Sequence, residues 1–230
     1  MLLSILIPCL NEAENLPRLE GELFPVLERL DVSWEVLIVD DGSRDSTPPL
    51  LAALRRPGLR VLTHPENRGL GAALRTGLAA AGGDWIVPLD ADLTFHPGAI
   101  GDLLEAQRRT GADCVCGSPF LGGMPGVPLS RRLPSLLLNA FYRGFFDRRC
   151  TAYTPMFRLY RTAALRELAL SCDGFEVSTE ILVGLLRAGR KVTEIPVPLT
   201  VRTAGVSKLR RLRELRNHAA LAWRLLTGPG

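Results

Sequence analysis

The fold is decided near the start of the chain, where residues 3–12 read LSILIPCLNE. The apolar run from Leu3 to Pro8 is short and rich in aliphatic residues, which predicts a strand buried on both faces. Asn11 follows, and we expect it to cap a helix whose apolar positions recur at helical spacing up to Leu30. A buried strand that leads through a polar turn into such a helix predicts a parallel sheet covered by helices.

The same alternation of strand and helix continues through the first half of the chain. Further strands are predicted over residues 34–39, 59–63, 85–89 and 113–117, with helices between them. Past residue 119 the pattern is less regular, and the predicted elements are a strand at 157–160, a helix at 176–188 and a strand at 192–197. The sequence therefore predicts an α/β fold, with a mostly parallel sheet and helices on both faces.

Bulk composition limits the class of protein. Of the 230 residues, 47% are hydrophobic and 23% are charged, which favours a large core and argues against disorder. We expect a single domain over residues 1–230, made of a first half (1–118) and a second half (119–230) that ends in a basic tail. The net charge of +4 is mild, and the tail lacks interleaved aromatic residues, so nucleic acid is not an expected partner.

Cysteine usage and hydropathy bear on location. The five cysteines show no paired metal spacing, the chain opens without a basic leader, and no apolar run reaches the roughly 20 residues that span a bilayer. A cytoplasmic protein is therefore expected, with peripheral attachment at the inner face of a membrane left open. Two segments are candidates for membrane attachment. Residues 133–146 suit a core helix equally well, and the basic tail 207–226 suits a solvated helix equally well.

Polar side chains follow four of the predicted strands, at the point where each strand ends. They are Asn11 and Glu12, Asp40 and Asp41, Asn67 and Arg68, and Asp90 and Asp92. Because the carboxyl ends of parallel strands meet at one edge of the sheet, ligands bind there. Asp40 and Asp41 suit hydrogen bonds to a base or ribose, and the turn at residues 67–71 resembles a phosphate cradle.

Asp90 and Asp92 both follow directly after the apolar strand predicted at residues 85–89. Two close carboxylates raise each other's pKa, and a hard divalent cation removes that conflict. Mg²⁺ and Mn²⁺ prefer oxygen ligands, usually one or two carboxylates together with substrate phosphates. The pair therefore predicts a site for Mg²⁺ or Mn²⁺, and the alternative is a solvated turn.

A set of motifs follows in order along nearly the whole chain. They are Pro8–Glu12, Asp40–Asp45, Asn67–Gly71, Asp90–Asp92, Phe157–Arg158, Gly174–Phe175, Glu180 and Arg202–Lys208. This set resembles the family 2 glycosyltransferases, and its last motif is similar to the Arg-x-x-Gly-x-Ser-Lys stretch of dolichol- and polyprenol-phosphate sugar synthases. The resemblance implies the GT-A fold, with a Rossmann-like nucleotide-sugar-binding half and a C-terminal extension on the acceptor side.

The resemblance also implies a role for each matched residue. Substrate binding would fall to Pro8, Asn11, Glu12, Asp40, Asp41, Arg68, Arg131 and Ser207; catalysis to Asp90, Asp92, Arg202 and Lys208; and the metal to Asp90, Asp92 and Thr94. Thr94 stands where relatives often carry Gln as a further ligand. The implied reaction is inverting, metal-dependent transfer of a sugar, mannose or glucose by kinship, from a nucleotide-sugar to a polyprenyl phosphate. Such an acceptor is already ionised and needs no strong general base.

The acceptor side departs from the family pattern. Pro119 stands where relatives often carry Arg, and residues 152–156 lack the Asp, Ser and Gly found in relatives. These departures favour an alternative in which the same fold serves a different lipid or a glycan. A remote alternative is a nucleotide-binding protein without transfer activity. The retention of Asp90 and Asp92 together with Arg202 and Lys208 argues against it.

Overall fold

The computed structural model describes residues 1–202 and 211–227. Its strands are β1 (Leu2–Cys9), β2 (Ser33–Asp40), β3 (Leu59–Thr63), β4 (Trp85–Pro88), β5 (Cys114–Ser118), β6 (Arg158–Arg161) and β7 (Val192–Pro196). Its helices are α1 (Leu16–Leu27), α2 (Thr47–Ala53), α3 (Leu70–Ala80), α4 (Ala99–Thr110), α5 (Pro119–Gly122), α6 (Leu129–Phe145), α7 (Thr162–Arg166), α8 (Val177–Arg187) and α9 (Arg211–Thr227). The predicted alternation of strands and helices is thus present throughout the first half.

The strands form one seven-stranded sheet in the order β3-β2-β1-β4-β6-β5-β7. β1 pairs in parallel with β2 and β4, β2 with β3, and β5 with β7. Among the strands in the described part of the chain, only β6 runs antiparallel to its neighbours, which are β4 and β5. The predicted α/β fold with a mostly parallel sheet is confirmed, and the carboxyl ends of β1, β2 and β4 come together at one edge.

Helices cover both faces of the sheet because the side chains of a buried strand alternate between the faces. On β1, Leu3, Ile5 and Ile7 pack on one face with residues of α1, α2 and α4. Leu6 belongs to the core on the other face, which α3, α6, α8 and α9 complete. A strand buried in this way on both faces needs a nearly continuous apolar run, which β1 has apart from Ser4, whose hydroxyl donates to Glu35 Oε1.

One local prediction at the first turn is wrong. α1 begins at Leu16 with Asn15 at its N-cap, so Asn11 does not cap this helix. Asn11 instead takes a positive φ of 50°, and its side-chain oxygen accepts a hydrogen bond of 2.7 Å from the Arg44 amide. Asparagine tolerates this left-handed conformation better than most residues, which lets the chain turn sharply at the end of β1.

The two candidate membrane segments have different surroundings. α6 buries Asn139 and Tyr142 but leaves Leu133 and Leu137 57% and 64% exposed, so these leucines are not part of a core. α9 packs on the helical layer, where His218 lies against Tyr142. No helix within the described ranges is long and apolar enough to cross a membrane.

Candidate functional site

An acidic cluster lies where β1 and β4 end. Glu12 follows β1 and Asp92 follows β4, and the guanidinium of Arg202 forms an ion pair with both carboxylates. The distance from Arg202 Nη1 to Asp92 Oδ2 is 3.4 Å. The three side chains are between 10% and 15% exposed, so their charges interact in a weakly solvated environment. The structure thus brings together residues that are 190 positions apart in the chain.

Asp90 has an unusual protonation equilibrium in this cluster. Burial of its carboxyl, followed by the nearby charges of Asp92 and Glu12, raises its pKa to about 7, and Arg202 only partly offsets the rise. Like charges and desolvation both penalise an ionised carboxyl. With three carboxyl groups beside one guanidinium, the cluster has an excess of acidic groups.

The turn that carries Asp92 has a strained backbone, and hydrogen bonds to Asp92 hold it in place. Leu93 has a positive φ of 52°, which is rare for a bulky residue. The amide of Thr94 donates to Asp92 Oδ1 at 3.1 Å, and Arg18 Nη1 donates to the Asp92 carbonyl at 3.0 Å. Strained backbone of this kind persists where the surrounding structure fixes it, and it clusters at functional sites.

Asp41, at the end of β2, is the centre of a second cluster. Its carboxylate accepts hydrogen bonds from the amides of Arg68, at 2.9 Å, and Gly69, at 2.8 Å. His64 Nδ1 lies 2.6 Å from Asp41 Oδ1, and its Nε2 lies 2.9 Å from the Thr76 hydroxyl. Asp41 and His64 are both buried. This network joins the ends of β2 and β3 to the start of α3 and fixes the Asp41 carboxylate.

His64 is a site residue that the sequence analysis missed. It directly follows β3, in the same way that Asp41 follows β2, so the rule that ligand-binding groups follow parallel strands would have found it. Arg18 was also missed. It lies on α1, where a single arginine has no pattern that distinguishes it from a surface charge.

Gly42 allows the loops of the second cluster to meet. A side chain at this position would come within 2.7 Å of the Asn67 nitrogen, and its φ of 73° is itself unfavourable for other residues. The neighbouring Asp40 is buried, and its Oδ1 accepts a hydrogen bond of 3.0 Å from the Ser43 amide. Asp40 therefore closes this turn in addition to any contact with a ligand.

The remaining predicted residues either lie outside the two clusters or have side chains that the structure does not describe. Pro8 is half-buried near the end of β1, and the Arg68 side chain is exposed beside the second cluster. The side chain of Arg131, in the first turn of α6, is outside what the structure describes, as are Ser207 and Lys208. Their expected roles stay predictions.

The first cluster fits a hard divalent cation by the chemistry of its groups. Asp90 and Asp92 offer carboxylate oxygens, the ligands that Mg²⁺ and Mn²⁺ prefer, and the crowding that raises the Asp90 pKa is what a cation would relieve. Within residues 1–202 and 211–227, no three Asp, Glu, His or Cys side chains are arranged as a complete metal site. Proteins commonly hold Mg²⁺ through one or two carboxylates together with substrate phosphates, and Asp90 and Asp92 would suit that arrangement.

Comparison with known proteins identifies the family. Residues 4–169 match the description "Glycosyl transferase family 2". The chain belongs to this family. As a family 2 member it is a glycosyltransferase, and the resemblance found in the sequence is confirmed.

Two curated relatives of this glycosyltransferase are transferases named for undecaprenyl phosphate. It is 32% identical over 214 residues to the undecaprenyl-phosphate mannosyltransferase of Micrococcus luteus. The match covers 89% of this chain and 86% of that protein. It is 34% identical over 208 residues to the undecaprenyl-phosphate 4-deoxy-4-formamido-L-arabinose transferase of Sodalis glossinidius, over 89% of this chain and 62% of that protein. The chain thus spans less than two thirds of the second relative.

Solved structures confirm the GT-A fold of the glycosyltransferase. Glucosyl-3-phosphoglycerate synthase of Mycobacterium tuberculosis, crystallised with Mn²⁺, UDP and glucosyl-3-phosphoglycerate, superposes with a TM-score of 0.67 at 22% identity, over 97% of this chain and 78% of that chain. S. aureus TarS, crystallised with UDP-GlcNAc, superposes with a TM-score of 0.61 at 20% identity, over 96% of this chain and 66% of that chain. These similarities concern the fold.

Residues 151–153 of the glycosyltransferase, in the segment expected to depart from the family pattern, are held by internal hydrogen bonds. Arg158 is fully buried, and its guanidinium donates to the carbonyls of Ala152 and Tyr153 at 2.8 and 2.7 Å. Glu194 accepts from the amides of Thr151 and Ala152. The segment that lacks the family's Asp, Ser and Gly therefore has a structural task in this chain.

Proposed function

We propose that this glycosyltransferase transfers a sugar from a nucleotide-sugar to a polyprenyl phosphate, in a reaction that depends on a divalent metal and inverts the anomeric centre. The observation that carries the proposal is the acidic cluster of Glu12, Asp90 and Asp92 with Arg202, placed at the edge of the sheet where ligands bind in folds of this kind. The names of the curated relatives support the acceptor.

The nucleoside would bind at the second cluster. The Asp41 carboxylate is fixed by His64 and by the amides of Arg68 and Gly69, and Asp40 is fixed by the Ser43 amide. Carboxylates held in place in advance recognise base or ribose groups without the entropic cost of ordering flexible side chains. His64 would act as a positioning residue because it touches Asp41 rather than the ligand.

The diphosphate would bind between Asp90, Asp92 and Arg202. Asp90 and Asp92, with Thr94 as a further candidate ligand, would hold Mg²⁺ or Mn²⁺, and such a cation would supply a Lewis acid for the charge that develops on the leaving phosphate. Arg202 already lies within this cluster, and a guanidinium suits two-pronged hydrogen bonding to phosphate oxygens. Glu12 holds Arg202 in this orientation.

An acceptor phosphate needs little from the protein beyond orientation. It is ionised at neutral pH, so the reaction requires no residue to remove a proton, and no histidine is needed at the acidic cluster. Attack by this oxygen on the face opposite the diphosphate gives the inverted, β-linked product. Mannose and glucose are the donor sugars that we propose to test first.

A second candidate is the same transfer to a different acceptor. Pro119, which opens α5 directly after β5, supplies neither charge nor an amide donor where relatives often carry Arg. Residues 152–153 are engaged with Arg158 rather than turned to a ligand. Both features favour an acceptor that is recognised differently, such as another lipid or a glycan.

A transfer assay tests the proposal and separates the two candidates. Radiolabelled GDP-mannose, UDP-glucose and UDP-N-acetylglucosamine are each incubated with the protein, Mn²⁺ and a short polyprenyl phosphate in detergent. We expect label to enter the lipid phase with one donor, and we expect Asp92→Asn to lose this activity. Hydrolysis of a donor without labelled lipid would support the second candidate, and label that enters lipid equally with Asp92→Asn would contradict the proposed site.

A further inference from the structure

α6 contacts the protein through a mixed face that contains Leu138, Asn139 and Tyr142, and it leaves a second, apolar face open to solvent. Leu129, Leu133, Leu136 and Leu137 are 78%, 57%, 45% and 64% exposed. The three-to-four-residue spacing puts them on one side of the helix, together with the exposed Ala140 and Gly144. An amphipathic helix on a soluble domain normally buries its leucines and exposes its polar side chains. A contiguous apolar face of this size indicates an interaction surface rather than scattered exposed leucines.

Asn139 fixes this orientation. It is 2% exposed, its Oδ1 accepts a hydrogen bond of 2.5 Å from the Tyr153 amide, and its Nδ2 donates to the Thr154 hydroxyl at 3.0 Å. Tyr142, one turn later, is fully buried against His218. Turning the leucines inward would break the buried hydrogen bonds of Asn139 and remove Tyr142 from its packing against His218. The exposed leucines are therefore a fixed property of the native fold.

The charge around this face selects the kind of partner. Residues 119–153 contain five arginines and one acidic residue, Asp147, so this segment carries a net +4, equal to the net charge of the entire chain. Arg132 and Arg143 donate to backbone carbonyls of Val127 and Arg148, and within the described residues neither forms an ion pair with a carboxylate. An apolar face edged by arginines is complementary to the headgroups and acyl chains of an anionic bilayer.

The start of α6 is linked to the acidic cluster. The Leu199 amide donates to the Gly123 carbonyl at 3.1 Å, and the Thr200 amide donates to the Thr94 carbonyl at 2.9 Å. The loop that leads into α6 therefore lies beside the segment that carries Arg202. We propose that the leucine face of α6 inserts into the surface of an anionic phospholipid bilayer. Given the proposed function, this docking would present the site to the phosphate of a membrane-embedded acceptor.

Vesicle flotation tests the docking directly. The full chain, the double variant Leu133→Glu/Leu137→Glu and the control Leu50→Glu, which alters an exposed leucine on α2, are mixed with vesicles of phosphatidylcholine, with or without phosphatidylglycerol. We expect the wild type and the control to float with anionic vesicles. We expect the double variant to bind at least about tenfold more weakly. A carboxylate is energetically unfavourable in the acyl region, and the anionic surface repels it. Equal flotation of the double variant, or no flotation of the wild type, would overturn the proposal.

A site-specific probe tests which face inserts. All five cysteines of the chain are buried, so Leu137→Cys and Leu50→Cys each provide one accessible thiol for an environment-sensitive fluorophore. Anionic vesicles should shift the emission at position 137 to shorter wavelength and leave position 50 unchanged. Equal shifts, or a wild-type dimer in light scattering that the double variant dissociates, would contradict the bilayer as the occupant, and the dimer would assign the face to a second copy of this chain.

Activity distinguishes failure of the docking from failure of the proposed function. In detergent, the double variant should transfer sugar to a soluble short-chain acceptor at the wild-type rate, because the substituted leucines do not contact the acidic cluster. With an acceptor embedded in vesicles, it should be slower in proportion to its lost binding. Flotation without any transfer would retain the docking and reject the acceptor, whereas equal loss in detergent and vesicles would reject the assignment of these leucines to docking.

Discussion

At the scale of single residues, the site depends on charges placed at strand ends. Glu12, Asp41, Asp90 and Asp92 were found from the sequence because an apolar strand followed by an acidic residue is a local pattern. The partners of these residues were not all found in this way. His64 meets Asp41 across 23 positions of the chain, and that contact depends on the neighbouring positions of β2 and β3, which no local pattern specifies.

Replacement of His64 tests its positioning role. His64→Leu removes the side-chain contact to Asp41 and leaves the two backbone amides, so we expect the donor KM to rise about tenfold with a smaller change in kcat. His64→Asn, whose amide nitrogen imitates Nδ1, should restore most of the binding. A fall in kcat at unchanged KM would contradict this role.

At the scale of elements, the strands were predicted well and the helices of the second half less well. The strand predictions held because buried parallel strands have continuous apolar runs. For residues 133–146 the sequence left a core helix and a helix on a membrane surface equally open, because hydrophobic periodicity indicates an apolar face without indicating what that face contacts. The buried contacts of Asn139 with residues 153–154 decide the orientation instead, and they involve a loop that is distant in sequence from the middle of the helix.

Asn139 should therefore contribute to stability although it is polar. Asn139→Ala removes its hydrogen bonds to Tyr153 and Thr154 and leaves a buried amide unpaired, so we expect the free energy of unfolding to fall by about 1–3 kcal/mol. Urea denaturation measures this change. Ser130→Ala, an exposed substitution on the same helix, should have almost no effect, and equal effects of the two variants would contradict the account.

The packing of α9 against α6, which buries His218, should make the stability of the protein depend on pH. Burial lowers the pKa of His218 to about 4, although the nearby Glu176 charge opposes the shift, and the Tyr142 hydroxyl lies 3.1 Å from Nδ1. An unfolded histidine titrates near 6.5, so between these values the unfolded state binds more protons and stability falls as the pH is lowered. The loss should be on the order of 2 kcal/mol between pH 7 and 4. Urea denaturation at several pH values measures how the free energy of unfolding changes with pH. His218→Gln should remove the contribution of this histidine to that change, and an unchanged pH dependence would contradict the prediction.

At the scale of the whole molecule, the two halves expected from the sequence share one sheet. β6, from the second half, lies between β4 and β5 of the first half, and in the described residues β5 has only β6 and β7 as neighbours. We therefore propose that the boundary at residue 118 does not separate two folding units. The resemblance of motif order predicted the fold class, but the antiparallel insertion of β6 is a long-range pairing that local patterns do not reveal.

One cooperative unfolding transition should follow from this shared sheet. We expect far-UV circular dichroism and tryptophan fluorescence to give coincident urea transitions for the full chain, as two-state behaviour requires. A fragment of residues 1–118 lacks both neighbours of β5, and we expect it to show no cooperative transition. Two separate transitions of the full chain would contradict this expectation.

The central claim is that Asp90 and Asp92 hold a divalent metal together with the donor diphosphate. The most direct test is calorimetric titration of UDP and GDP with and without Mn²⁺, for the wild type, Asp92→Asn and the control Asp102→Asn, which alters an exposed aspartate on α4. We predict that the wild type and the control bind one of the nucleotides in a Mn²⁺-dependent manner, and that Asp92→Asn weakens this binding by about 100-fold, since both charge and a metal ligand are lost. Equal, metal-dependent binding by Asp92→Asn would contradict the claim.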